Sequence, residues 1–252
     1  MVNGLDKFRD TFRNFNDQYV IIGGTACDMA MEEAGLEFRV TKDLDVVLQI
    51  EALNKGFVES FWQFINEGQY IIQQNSKGKN NYYRFMQPKQ PDYPFMIELF
   101  SRKPDSLTLE DNAHLTPIPT DEELSSLSAI LLDDDYYTFL HAGKQIIDNI
   151  SVLRPEHLIP LKARAWIDLT ERRKKGASID SRVIRKHKND VFRVYQIIEP
   201  DYKFTIPASI KQDLRVFIKS MRTESINLKS FGLAQVDLTE LLDELESLYG
   251  II

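Results

Sequence analysis

The apolar positions along the chain fall into two regimes. Up to Phe100 short strand-like runs alternate with amphipathic helical repeats, and from Pro155 onward every apolar repeat is helical. Leu5, Phe8, Phe12 and Phe15 recur at helical spacing with charged residues between them, which predicts a helix over 4–16 lying on a core. Tyr19-Val20-Ile21-Ile22 reads as a short buried strand that stops at Gly23-Gly24, where the chain can turn sharply. Thr25 then opens a helix running through Met31. Leu44–Ile50 is apolar and β-branched enough for a second strand, and Glu51–Glu67 reads as another helix.

Three further strands are expected at Tyr70–Gln74, Tyr82–Met86 and Phe95–Phe100, the first two joined by a turn-rich segment over 75–80. Residues 101–127 are rich in Pro, Asp, Ser and Thr and read as an irregular connection, after which strands resume at Ser128–Leu132 and Tyr136–Leu140. Helices are predicted at about 155–175, 180–198, 207–222 and 237–249, punctuated by Gly176, Pro200, Pro207 and Gly232. The pattern is that of a mixed α/β (α+β) region over 1–150 followed by a helical domain over 151–252. There is no internal repeat.

A chain of 252 residues with 43% apolar and 27% charged residues is ordinary globular composition, long enough for a real core. Its net charge of -7 argues against a surface coated in basic residues. The charge is uneven, however: Arg154 to Arg193 holds 12 Lys and Arg against 5 Asp and Glu. That run is either a solvated helical face or a set of phosphate contacts. The single cysteine, Cys27, cannot form an internal disulfide, and the N-terminal residues mix both charges where a signal peptide needs an apolar stretch. A soluble, cytoplasmic protein is the expectation. The histidines at 114, 141, 157 and 187 share no spacing that points to catalysis.

Asp43-Leu44-Asp45 at a strand start is the central chemical clue. Side chains two apart on a strand project from the same face, so both carboxylates can meet one hard divalent cation such as Mg²⁺ or Mn²⁺. Alone the triplet reads as a solvated strand end ahead of a metal site, because acid-x-acid arises by chance about five times in a chain of this composition. Two features add to it. The glycine turn after a buried strand leaves backbone N–H groups at a helix start, a natural seat for phosphate. Glu98 is a single carboxylate inside the apolar run Phe95–Phe100, and a charge there needs a partner. Three carboxylates opposite a phosphate-binding turn suit two-metal phosphoryl transfer.

Ile21-Ile22-Gly23-Gly24-Thr25-Ala26, followed by Arg39-Val40-Thr41-Lys42-Asp43-Leu44-Asp45, resembles the polymerase-beta-like nucleotidyltransferase superfamily, and within it the AbiEii abortive-infection toxin group. The resemblance implies a nucleotidyltransferase-like mixed sheet with flanking helices. It also implies Asp43, Asp45 and Glu98 as catalytic metal ligands, and Gly23, Gly24, Thr25, Arg39 and Thr41 beside the nucleotide. Lys162-Ala163-Arg164-Ala165 and the segment Lys186 to Phe192 resemble the helical segments that follow the catalytic domain in that group. By that likeness Lys162 touches phosphates and Asp190 supports the site. The implied cofactor is Mg²⁺ or Mn²⁺. The implied partners are an NTP, an RNA or small-molecule acceptor and an antitoxin protein. Two departures stand out: the spacing from Thr25 to Asp43 is longer than the family's, and Arg193 occupies a position where the family often has a second acid. From the residues alone, Asp190 pairs as readily with Lys186 one helical turn before it, and Lys162 reads as readily as a solvated lysine.

Overall fold

The computed structural model describes residues 2–74, 80–100, 133–200 and 202–251. Among these it is a mixed α/β structure with eight α-helices and a seven-stranded sheet. The chain divides into two compact units, one made of residues 1–132 and 144–153, the other of 133–143 and 154–252.

The first unit is built on the sheet. Its strands are β1 (Tyr19–Ile22), β2 (Asp43–Leu48), β3 (Ile71–Gln74), β4 (Asn80–Met86), β5 (Met96–Phe100), β6 (Lys144–Ile147) and β7 (Ile150–Leu153), in the order β3-β4-β5-β2-β1-β7-β6. β2 runs antiparallel to β1 and parallel to β5, while β1 runs parallel to β7. All four residues of β1 and of β7 are buried, as expected of strands covered on both faces. Helices α1 (Leu5–Phe12), α2 (Gly23–Glu33) and α3 (Lys55–Gly68) belong to the same unit. An aromatic cluster knits α1 and α3 to β1: Phe12 lies within 6.3 Å of the rings of Tyr19, Phe57, Phe61 and Phe64. Such pairs add to the large apolar area these rings bury.

The second unit is helical, with α4 (Asp134–Ala142), α5 (Pro155–Lys174), α6 (Ser181–Tyr195), α7 (Ala208–Met221) and α8 (Leu238–Leu248). α5 packs against both α6 and α7. Trp166 on α5 meets Phe217 on α7 edge-on at 5.4 Å, and Phe192 on α6 stacks on Phe231 at 5.9 Å.

Several elements differ from expectation, each for a local reason. Tyr136–Leu140 is helix, not strand: Asp133 caps α4 by accepting from the backbone N–H groups of Asp135 and Tyr136. Asp134 and Asp135 then favour the positive end of that helix. The expected strand over 128–132 lies outside the described residues. The β6–β7 hairpin has no counterpart among the predicted elements, and its turn is Asp148-Asn149, both with positive φ (48° and 60°). Such a pair suits a two-residue hairpin turn. α3 begins at Lys55 rather than Glu51, because Ile50–Ala52 forms a 3₁₀ turn and Asn54 caps the helix through the Phe57 N–H. α2 begins at Gly23 itself. Among the described residues no helix is long and apolar enough to cross a membrane.

Candidate active site

Register brings the N-terminal motifs together. Ile22, the last residue of β1, pairs with Asp45 of β2, so the chain enters Gly23 beside that carboxylate. Gly23 has φ +71°, and a Cβ built on it would come within 1.8 Å of the Asp45 Oδ2. Glycine is therefore required twice there, by backbone conformation and by the space Asp45 occupies. A Cβ on Gly24 would lie 2.6 Å from Thr41 Oγ1 and 3.2 Å from Arg39 Nη2, which puts both residues against the backbone of the same turn.

Thr25 is fully buried, and its hydroxyl donates to the Asp43 carbonyl oxygen at 2.7 Å. That bond ties the first turn of α2 to the start of β2. What Thr25 can offer a phosphate is its backbone N–H. The first N–H groups of a helix have no intrahelical acceptor, and in α2 no side chain caps them and no acidic residue lies in the first turn. The end of α2 next to Asp45 has the positive potential of a helix start.

Asp43 and Asp45 are both partly exposed, whereas Leu44 between them is fully buried. The strand alternation thus puts the two carboxylates on one face and the leucine in the core. On β5, Glu98 lies opposite Asp45, and it too is partly exposed between buried Ile97 and Leu99. Its partner is Arg84, which sits opposite it on β4 and approaches the Glu98 Oε1 at 2.6 Å with both Nε and Nη2. Sequence motifs do not single out Arg84, although an arginine inside the run Tyr82–Met86 is the signal that finds it. A lone charge in a strand needs an opposite charge across the sheet.

The donor set at Asp43 and Asp45 fits a hard cation: two carboxylates on one strand face, still open to solvent, beside a helix start that can take the phosphates such an ion accompanies. Glu98 is held by Arg84 through Oε1 in this arrangement. Among the described residues no three His, Cys, Asp or Glu side chains gather as a cation site.

Compared with family models, with curated proteins and with solved structures, this chain finds no match in any of the three.

Lys162 and Asp190 belong to the second unit and lie next to each other. Lys162 is 4% exposed and Asp190 fully buried, and the Lys162 Nζ donates to Asp190 Oδ2 at 3.0 Å. Arg193 approaches the other oxygen at 3.4 Å and lies over the Phe231 ring at 5.0 Å. Lys162 is therefore not a solvated lysine. Its ammonium is spent on Asp190, and Arg193, at the position where the resemblance led one to expect an acid, supplies a second positive charge to the same carboxylate.

Proposed function

We propose that this chain is a metal-dependent nucleotidyltransferase, moving a nucleoside monophosphate from an NTP to an acceptor hydroxyl with release of pyrophosphate. One observation carries the reading: the Asp45 carboxylate lies against Gly23 at the uncapped start of α2, with Asp43 two residues before it on the same strand. Triphosphate transfer needs that pairing of cation-binding carboxylates with phosphate-binding N–H groups.

In this reading the N–H groups of Gly24 and Thr25 bind phosphate oxygens, and the Arg39 guanidinium beside Gly24 adds a positive charge. Asp43 and Asp45 would hold Mg²⁺ or Mn²⁺, which would neutralise the triphosphate and stabilise departing pyrophosphate. Glu98, oriented by Arg84, accepts a hydrogen bond from the acceptor hydroxyl. The acceptor oxygen bonds to the α-phosphorus as the bond to the α,β-bridging oxygen breaks, its proton passing to the Glu98 carboxylate as pyrophosphate leaves. Lys162 is left out of phosphate binding because Asp190 holds its ammonium. The acceptor is an RNA or a small molecule, and an antitoxin is the partner that the resemblance to AbiEii proteins suggests.

The test is incubation with each α-phosphate-labelled NTP, divalent cation and total cellular RNA. Wild type transfers label, and the Asp43→Asn/Asp45→Asn double variant loses about a hundredfold or more of that activity. Equal labelling by both proteins sinks the assignment. The pairing of Glu98 with Arg84 favours one second reading, a nucleotide-binding protein without turnover. Metal-dependent NTP binding with no pyrophosphate release selects it.

A further inference from the structure

The basic run between Arg154 and Arg193 is not a uniformly solvated face. In the second unit α5 and α6 border a cavity of about 550 Å³, within the range of small-ligand sites. Its apolar part is Trp166 and Ile184. Its rim carries Arg173 and Lys174 from the last turn of α5 and Arg185 and Lys188 from α6. The one acidic residue lining it, Glu224, is bonded to Lys188. Asp180 lies close enough to Arg173 for its acidity to respond, but it also bonds Arg182. Lys174 and Arg185 have no ion-pair partner among the described residues. Thr170, on the same wall, has a buried hydroxyl with no hydrogen-bond partner.

We propose that this cavity binds a phosphorylated ring compound, a nucleoside phosphate unit, with its phosphate on Lys174 and Arg185 and its ring between Trp166 and Ile184. The chemistry is specific in both halves. Unpaired cations on an otherwise acidic protein call for a multivalent anion. An aromatic and aliphatic wall calls for a flat body with apolar faces. The unit is either a free nucleotide or one residue of an RNA strand, and the probes below separate the two. The site uses none of the residues assigned to nucleotidyl transfer, so it stands whether or not that activity does.

The experiment is binding to the full chain at low salt, in EDTA so that cation-dependent binding at Asp43 and Asp45 is removed. The probes are ATP, inorganic tripolyphosphate and a labelled single-stranded oligoribonucleotide. The proteins are wild type, Lys174→Gln/Arg185→Gln, and Asp43→Asn/Asp45→Asn. ATP or the oligonucleotide binds wild type and the aspartate variant alike, and binds about tenfold more weakly to Lys174→Gln/Arg185→Gln. Saturable ATP binding identifies a free nucleotide. Binding of the oligonucleotide alone, with its salt slope reduced by roughly 1.4 in the double variant, identifies a strand. Tripolyphosphate binding as tightly as ATP overturns the role of the Trp166 wall. Unchanged affinity in Lys174→Gln/Arg185→Gln, or no binding of any probe to wild type, overturns the site.

Discussion

Asp45 and Asp190 are both carboxylates placed against a polar feature of the fold, and the two units hold them in opposite ways. Asp190 is fully buried, with Lys162 on one oxygen and Arg193 on the other. Asp45 is only partly buried, set beside a glycine at a helix start. A charge removed from water must be neutralised by the chain itself, which leaves nothing for a ligand. A charge left partly exposed on β2, the middle strand of the sheet, is stabilised in part by water instead. The comparison separates a carboxylate neutralised inside the fold from one that solvent still reaches.

The strongest way to break it is Asp190→Ala. That change leaves the Lys162 ammonium buried and uncompensated, and the chain should lose about 3–5 kcal/mol, read from urea midpoints. Replacing the pair together, as Lys162→Met/Asp190→Leu, should recover most of that loss.

His157 sharpens the same point with pH. Burial, helped by Arg154, pushes its imidazole down to about 4. An unfolded histidine titrates near about 6.5, so below that pH the unfolded chain takes up a proton that the folded chain refuses. The His157 contribution is complete above about pH 6.5 and is lost as the pH falls towards about 4, by at most about 3 kcal/mol. Glu156 opposes part of it, since burial raises its carboxyl and the folded chain gains a proton as the pH falls. His157→Phe, which keeps a ring against Phe139, should flatten the difference between midpoints measured near neutral pH and in mild acid.

Gly23→Ala should cost about 2 kcal/mol, from the left-handed backbone and from displacement of Asp45. It should abolish the nucleotidyl transfer proposed above along with that loss. Asp43→Asn is at the small end, within about 0.5 kcal/mol of wild type in stability, because the side chain is half exposed. If Asp43→Asn destabilised the chain as much as Asp190→Ala, the distinction between the two carboxylates would collapse.

Much of the fold is written in local patterns. The strand–glycine–helix entry at Tyr19 to Glu33, the strands at Asp43 and Met96 and the four C-terminal helices all follow apolar periodicity, which needs no knowledge of distant residues. The failures were local too. The acidic residues before Tyr136–Leu140 mark a helix start that the strand expectation ignores, and the Asp148-Asn149 turn joins strands of only four residues, too short for a clear period. Burial of Tyr136, Tyr137, Phe139 and Leu140 on one side of α4 shows the helical period that the aromatic content hid.

By itself the sequence determined which residues carry charge, where glycine permits a turn, and that Asp43 and Asp45 share a strand face, because side-chain alternation is a property of one strand. Only the tertiary structure decided who meets whom. It set Asp45 against Gly23, gave Glu98 the cation Arg84, and buried Lys162 with Asp190. Those pairings depend on strand register and helix packing across 14 to 28 positions of chain, and no local pattern encodes the partner of a charge at that distance.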